Sequence, residues 1–177
     1  MKCNFLTFIL LILVAGNSLA QIPAQTLPDF KFFRLDKRPF TNKDLPNGKI
    51  LFIVFFDSDC EHCQHAVKSI SRNYPSFKKT TICLISLDNV EKINRFMNLY
   101  GIGLKGQKNV VLLQDILNQF IPGFQPKKYP SMFLYSAEKK LIDYEDNEET
   151  FFRFVNAIKK TVSWYKCQAF NHFPLDH

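Results

Sequence analysis

A continuous apolar run, KILFIVFF over residues 49–56, constrains the fold of this chain most strongly. After Lys49 it consists of aliphatic and aromatic residues, and no polar residue alternates with them. Such a run is typical of a strand buried on both faces, as in a parallel sheet covered by helices. TTICLISL over 80–87 and VVLLQD over 110–115 predict two further strands.

Segments with helical spacing connect these strands. A helix capped by Ser58 or Asp59 is expected after the first strand. A helix capped by Asp88 or Asn89 that ends at Gly101 is expected after the second. ILNQF over 116–120 predicts a short third helix after the third strand. Residues 30–40 predict a short hairpin before the first buried strand.

The C-terminal third predicts two strands and a helix. SMFLYSAEKKLIDYE over 131–145 contains the two strands, and the last helix is expected to start at Asp146 or Asn147. Lys159 and Lys160 then lie toward its C-terminus, where the helix dipole favours cations. The whole pattern predicts an α/β domain with a mixed central sheet and helices on both faces.

The segment from Met1 to Ala20 has the layout of a Sec signal peptide. Lys2 supplies a positive charge, a short apolar core runs from Phe5 to Ala15, and Ser18-Leu19-Ala20 is typical of a cleavage site. The alternative is an uncleaved membrane anchor, but this core is much shorter than the roughly 20 apolar residues that span a bilayer. We therefore expect cleavage after Ala20, a periplasmic or secreted protein, and no stable membrane insertion afterwards.

The rest of the chain is expected to be one globular domain over 21–166 with a tail over 167–177. Its 19 Phe and 6 Gly argue against disorder. The net charge of +7 is spread in short pairs such as 78–79 and 159–160 rather than in one run. This distribution disfavours nucleic acid as a partner and predicts a solvated surface suited to acidic partners.

Two cysteines in FFDSDCEHC, Cys60 and Cys63, come directly after the first buried strand, at the start of a predicted helix. The free N–H groups and the dipole of a helix N-terminus stabilise a thiolate. Cys60 is therefore predicted to attack partner disulfides, and Cys63 to resolve the mixed disulfide by closing a Cys60–Cys63 bond. Protonated His62 favours the Cys60 thiolate, whereas Glu61 disfavours it by charge repulsion.

Two other interpretations of this motif stay open. The Cys60–Cys63 disulfide can be a structural staple in a non-enzymatic binding module. Alternatively, the motif can handle copper or zinc, because four potential ligands lie within about one turn: Cys60, His62, Cys63 and His65. A structural zinc site, however, normally draws its ligands from two separated clusters. Our preferred interpretation includes neither a metal nor a bound cofactor.

A third cysteine, Cys83, lies inside the predicted strand over 80–87. Free cysteines within such strands are usually buried and inert. The alternative is a disulfide with Cys167, which an oxidising compartment permits.

Two long segments resemble a known family. PDFKFFRLDKRPFTNKDLPNGKILFIVFFDSDCEHC resembles the opening of TlpA/ResA-like proteins, which have the thioredoxin fold and belong to the AhpC/TSA-redoxin-related group. KYPSMFLYSAEKKLI resembles their cis-proline loop and last strand pair, and the resemblance covers about residues 27 to 160. It implies a thioredoxin-like fold and a thiol-disulfide oxidoreductase of the cell envelope. Its partners would be cysteine-containing envelope or secreted proteins and a redox partner protein.

The resemblance also implies that Pro130 is cis and that the backbone of Tyr129 pairs with a substrate strand. The chain departs from the family at two positions that carry proton-transferring carboxylates in the relatives. Val54 stands where thioredoxins carry a buried Asp, and Ala66 stands where many relatives carry a Glu. His62, together with His65 and Glu61, is a candidate substitute. The C-x-H-C form is similar to the more oxidising members, so reductase and oxidase or isomerase directions both stay open.

Overall fold

The computed structural model describes residues 21–171, so the predicted signal peptide and the end of the predicted tail lie outside the described residues. The described residues form one sheet of seven strands. The strands are β1 (Lys31–Arg34), β2 (Pro39–Thr41), β3 (Ile50–Phe55), β4 (Thr80–Ser86), β5 (Val110–Gln114), β6 (Ser131–Tyr135) and β7 (Leu141–Glu145). Their order in the sheet is β2-β1-β5-β4-β3-β6-β7.

Four α-helices and several 3-10 turns connect the strands in this part of the chain. The helices are α1 (Glu61–Arg72), α2 (Val90–Tyr100), α3 (Phe120–Phe124) and α4 (Phe152–Asn171). The 3-10 helices cover Asn42–Asp44, Tyr74–Phe77, Ile102–Leu104 and Glu148–Phe151. No helix among the described residues combines the length and the apolar character that crossing a membrane requires.

The sheet is mixed, as the sequence predicted. Strands β3, β4 and β5 run parallel, whereas β6 and β7 at one end and the β1–β2 hairpin at the other are antiparallel. Every residue of β3 and β4 is buried, because helices or loops cover both faces of these central strands. The predicted hairpin and the predicted pair of C-terminal strands are both confirmed.

The two faces of β3 contact two different layers. Phe52 and Val54 pack with α1, α2 and α4 in one apolar core. Leu51 and Ile53 face the opposite side, where α3 and the segment before β1 complete a second core. Helices therefore cover both faces, as predicted, although three of the four described helices lie on one face.

The helix that carries the cysteines begins one or two residues later than predicted. The N-cap of α1 is Cys60, with an extended backbone, rather than Ser58 or Asp59. The side chains of these two residues instead bond to Asp88 and Lys92, respectively, outside the helix. The cap of the next helix, α2, is one of the two residues expected from the sequence. The Asn89 side chain accepts the Lys92 backbone N–H at 2.9 Å.

The prediction of a helix over 116–120 is wrong. Asn118 has a left-handed backbone, with φ of 53°, which an α-helix cannot include. The buried Asp115 carboxylate accepts the backbone N–H groups of Gln119 and Phe120, at 3.0 and 2.7 Å, and so fixes the start of α3 at Phe120. Phe124 lies one turn further on, and both Phe rings are fully buried.

The last helix is longer than the sequence indicated. Asn147 caps the 3-10 helix Glu148–Phe151, in agreement with the predicted start, by accepting the Glu149 backbone N–H at 3.0 Å. α4 then continues to Asn171, so Lys159 and Lys160 lie in its middle rather than toward its C-terminus. Phe154 and Ile158 of this helix are buried in the core.

Candidate active site

Cys60 and Cys63 lie where β3 ends and α1 begins. Cys60 is half-buried at the N-cap, and its carbonyl accepts the backbone N–H of Gln64 at 3.1 Å. Cys63 lies one turn deeper and is fully buried. Both are free thiols, so the structure describes the reduced form of the pair, and the Cys60–Cys63 disulfide stays a prediction.

The two thiols have unequal surroundings. Burial raises the pKa of Cys63 well above its ordinary value. The backbone N–H of Asp57 opposes this shift, whereas the neighbouring Cys60 sulfur and the negative charge of Asp57 add to it. Burial therefore makes Cys63 a weaker acid than an ordinary cysteine, and Cys60 is the more accessible sulfur.

The loop before the cysteines is held by short local hydrogen bonds. The Asp57 carboxylate accepts the backbone N–H of Asp59 at 2.8 Å, and the Asp57 carbonyl accepts that of Cys60 at 3.3 Å. Lys92 of α2 contacts the Asp59 carboxylate at 2.7 Å. These contacts fix the direction in which the chain enters α1.

Asp88 anchors the same loop to the end of β4. One of its carboxylate oxygens accepts the Ser58 backbone N–H at 2.8 Å, the Ser58 hydroxyl at 2.6 Å and the Ser86 hydroxyl at 3.1 Å. Burial alone would raise the pKa of Asp88, but the hydrogen bonds from Ser58 and Ser86 outweigh it and hold that pKa below its ordinary value. The sequence suggested Asp88 only as a helix cap.

His62 pairs with a carboxylate that is distant in the sequence. Its Nδ1 lies 2.6 Å from Oε1 of Glu148. This hydrogen bond and the charge of Glu148 raise the pKa of His62. Glu61 is exposed beside it and adds a weaker effect in the same direction. Among the residues that the structure describes, no group of three or more His, Cys, Asp or Glu side chains is arranged to hold a metal ion.

The Tyr129–Pro130 peptide bond is cis, as the resemblance implied. The Tyr129 ring packs on Phe55 with centroids 4.8 Å apart. Burial raises the pKa of Tyr129 to about 12, and the nearby charges of Asp57 and Cys63 contribute to the shift. The fold thus brings the cis-proline loop, which is distant from the cysteines in sequence, to the same end of the sheet.

Two shallow depressions meet at Tyr129. One has a volume of about 310 Å³ and lies between Tyr129, His62 and the 3-10 helix Glu148–Phe151. The other, of about 280 Å³, is lined by Phe55, Ile121 and the loop that leads to Tyr129. Together they form an open groove beside the start of α1.

The positions where relatives handle protons are apolar here. Val54 and Ala66 are both fully buried in the core. His65 and Glu61 are exposed on α1, and His62 is paired with Glu148. Asp57 is the carboxylate whose charge acts on Cys63.

Cys83 is a buried free thiol, as expected, and lies in β4 away from the pair. Burial raises its pKa to about 12. The side chain of Cys167 lies outside the part of the chain that the structure describes, so the alternative Cys83–Cys167 pairing stays untested.

The model of the AhpC/TSA family matches residues 23–144. The thiol-disulfide oxidoreductases ResA of Bacillus thuringiensis (strain Al Hakam) and of Bacillus anthracis are each 27% identical to this chain over 136 residues, which cover 75% of this chain and 75% of the relative. Glu148 and the start of α4 lie beyond the matched family region.

Solved structures with the same fold include dsbF of Mycobacterium tuberculosis, with a TM-score of 0.63 and 20% identity over 79% of this chain and 98% of that one. A secreted disulfide oxidoreductase of the same organism, homologous to E. coli DsbE, has a TM-score of 0.60 and 18% identity over 74% of this chain and 95% of that one. These likenesses confirm the predicted thioredoxin-like fold. The family match covers more than half of the chain, so this protein belongs to the AhpC/TSA family, which confirms the thioredoxin-like oxidoreductase class predicted from its sequence.

Proposed function

We propose that this protein exchanges disulfides with cysteine-containing envelope or secreted proteins through Cys60 and Cys63. One observation carries the proposal: a half-buried thiol at a helix N-cap lies close to a fully buried thiol one turn deeper. The more accessible Cys60 sulfur can reach a partner protein, whereas the buried Cys63 sulfur can reach only Cys60. A nucleophile and a resolving thiol need this division of roles.

The exchange follows from this geometry in two steps. The Cys60 thiolate attacks one sulfur of a partner disulfide, which forms a mixed disulfide and releases the other partner sulfur as a thiolate. Cys63 then loses its proton and attacks the Cys60 sulfur, which closes the Cys60–Cys63 disulfide and releases the second partner sulfur. Two electrons pass from the pair to the partner, and the reverse sequence oxidises a partner dithiol.

The second step requires a proton acceptor, because Cys63 holds its proton tightly. We assign this role to the Asp57 carboxylate, whose charge acts directly on Cys63. His62 is committed to Glu148, while Glu61 and His65 are exposed on α1. Their influence on the pair, including the tuning by His62 and Glu61 that the sequence suggested, is therefore expected to be indirect.

The groove at Tyr129 is the proposed place for the substrate chain. Depressions on both sides of Tyr129 allow an extended segment to cross the cis-proline loop beside Cys60. The backbone of Tyr129 and Pro130 would then shape and pair with that segment, as β-strand addition does in other peptide-binding proteins.

We further propose that the protein is exported and matures by cleavage after Ala20. The layout of the segment from Met1 to Ala20 supports this placement. The mass of the protein recovered from the cell envelope or the medium tests it: the expected product starts at Gln21. A protein that retains this segment would contradict cleavage, although it would leave the chemistry of Cys60 unaffected.

Alkylation of the thiols after equilibration in a glutathione redox series tests the proposed exchange. We expect the Cys60–Cys63 disulfide to open between about −120 and −270 mV, the range of known oxidoreductases. The less negative end would indicate an oxidase or isomerase, and the more negative end a reductase. A bond that stays closed below about −300 mV would contradict the proposal and favour a binding module with a structural staple.

Trapping variants separate the roles of the two sulfurs. Cys63→Ser is expected to accumulate mixed disulfides with partner proteins on Cys60, because the resolving thiol is absent. Cys60→Ser is the matched control and is expected to trap none. Stoichiometric copper or zinc in protein purified without a chelator would instead favour the metal-handling alternative.

A further inference from the structure

A basic pocket lies at the edge of the sheet opposite the cysteines. It is formed where the parallel strands β3, β4 and β5 begin, whereas Cys60 follows the end of β3. The length of β3 separates the two places by roughly 17–20 Å. The pocket has a volume of about 360 Å³, which lies within the range of small-molecule sites, roughly 300–1,000 Å³.

Five basic side chains from four separate segments line this pocket. They are Arg34, Lys49, Lys78, Lys79 and Lys108. In the sequence they are isolated or form a single pair, so no basic run marks them. The topology of the sheet assembles them around one cavity.

In the described part of the chain, none of these five side chains has a carboxylate oxygen within 4.0 Å, whereas Arg38, Lys92 and Arg153 each have at least one. Asp44, the acidic residue of the lining, accepts the Thr41 backbone N–H at 2.8 Å and the Thr41 hydroxyl at 2.9 Å. Convergence of like charges disfavours the folded state, and an anion in the pocket would relieve it.

Two side chains give the pocket a fixed frame. The Arg34 guanidinium lies over the ring of the buried Phe40, 4.7 Å from its centroid. The amide of Asn109 donates to the carbonyls of Phe77 and Thr80, at 3.0 and 2.8 Å, and so holds the turn that carries Lys78 and Lys79. An oriented guanidinium among several ammonium groups is the donor set that suits phosphate oxygens.

We propose that this pocket binds a compact phosphate-bearing anion with two or more negative charges. The cations surround one cavity rather than follow a track along the surface, which favours a compact group over nucleic acid or an extended acidic chain. The phosphate can belong to a soluble phosphate ester or to the headgroup of an anionic lipid. This site is independent of the proposed disulfide exchange, because it lies at the other end of β3.

Titration of the full chain with inorganic pyrophosphate at low salt, followed by amide NMR shifts, tests the site. We expect saturable shifts at Thr80, Thr81 and Val110, which line the pocket, and none at Cys60 or Cys63. The affinity should fall as salt rises, because the contacts are electrostatic. Absence of saturable shifts at the pocket would overturn the proposal.

A pair of variants distinguishes the pocket from general positive charge. Lys79→Gln with Lys108→Gln removes two lining cations and is expected to weaken binding about tenfold or more. Lys31→Gln with Lys68→Gln removes two exposed lysines outside the pocket and should change affinity less than about twofold. Equal weakening by both pairs would contradict a defined site. Because the replaced side chains are exposed, both double variants should fold, which an unfolding midpoint no lower than that of the wild type will verify.

Vesicles identify the source of the phosphate. The same proteins are sedimented with phosphatidylcholine vesicles that contain or lack phosphatidic acid. Binding that needs phosphatidic acid together with Lys79 and Lys108 would assign the pocket to a lipid headgroup. Pyrophosphate binding without vesicle binding would assign it to a soluble phosphate ester.

Discussion

Nδ1 of His62 lies 2.6 Å from Oε1 of Glu148, although the two residues are 86 positions apart in the sequence. This contact joins the first turn of α1 to the 3-10 helix that precedes α4. The Glu148 side chain is 16% exposed and that of His62 is 68% exposed, so the carboxylate is the better-shielded partner. The imidazole of His62, which lies between the two cysteines in the sequence, is therefore held by a segment outside the matched family region, and that segment raises its pKa.

We expect Glu148→Gln to lower the pKa of His62. The hydrogen bond and the negative charge of Glu148 both favour the protonated imidazole, and Gln removes the charge. NMR titration of the histidine ring measures this change directly. Glu149→Gln, an exposed neighbour in the same 3-10 helix, is the matched control and should leave the His62 pKa nearly unchanged. Identical His62 titration in wild type and Glu148→Gln would contradict the assignment.

The same pair predicts how stability depends on pH. The folded-state pKa of His62 is raised, so its contribution is complete below the unfolded value of about 6.5 and is lost as pH rises through the folded value. Burial alone would raise the pKa of Glu148, but the hydrogen bonds and the charge of His62 outweigh it and lower that pKa. The contribution of Glu148 is therefore present above the unfolded value of about 4.3 and is lost as pH falls through the folded value. Urea unfolding should show the largest difference between wild type and Glu148→Gln between these two pH values.

We expect Asp57→Asn to slow the resolving step on the order of 10²-fold, because it removes the proposed proton acceptor for Cys63. Asn keeps the oxygen that accepts the Asp59 backbone N–H. With an aromatic disulfide as model substrate, the first thiolate released reports attack by Cys60 and the second reports resolution by Cys63. Asp57→Asn should change the second release and leave the first nearly unaffected.

The outcome also distinguishes proton transfer from a simple charge effect. The negative charge of Asp57 raises the pKa of Cys63, so a purely electrostatic role predicts faster resolution in Asp57→Asn. Asp59→Asn is the matched control, since it removes an exposed carboxylate of the same loop. Acceleration in Asp57→Asn, or equal slowing in both variants, would contradict the role assigned to Asp57.

We expect Asp88→Ala to lower the free energy of unfolding by about 1–3 kcal/mol. The change leaves the Ser58 backbone N–H and hydroxyl without their acceptor in a part-buried loop. Because the pKa of Asp88 is depressed on folding, its contribution is present above about pH 3.9 and is lost as pH falls through the folded value. Urea unfolding at neutral and acid pH measures both effects. An exposed carboxylate, Asp36, provides the control, and Asp36→Ala should cost less than about 0.5 kcal/mol.

The central strands and the cysteine pair could be predicted because the signals are local. The run over 49–56 is apolar without alternation, and only a strand covered on both faces buries all of it. Cys60 and Cys63 are separated by less than a helical turn, so their proximity follows from the helix itself. The cis bond before Pro130 became predictable through the resemblance of a longer segment.

The contacts that complete the site could not be predicted in the same way. Glu148 meets His62 only after α1 and the start of α4 have packed on the same face of the sheet. The sequence indicated only weakly that Asp88 belongs to the site. Asp88 follows the end of β4, and the ends of the adjacent parallel strands β3 and β4 meet at one edge of the sheet. The lysines of the basic pocket likewise come together only through strand order, which their spacing in the sequence does not encode.

The misplaced helix near residue 120 provides a last prediction. The predicted helix over 116–120 would place Leu117 and Phe120 on one face, yet Leu117 is 49% exposed and Phe120 is fully buried. The Phe120 ring stacks on Phe55 and Phe124, with centroids 4.1 and 4.2 Å apart. We expect Phe120→Ala to lower the free energy of unfolding by about 3–5 kcal/mol and Leu117→Ala to change it by less than about 0.5 kcal/mol. Urea unfolding of both variants measures the difference. Comparable losses would mean that Leu117 also contributes to the core, as the helix predicted from the sequence requires.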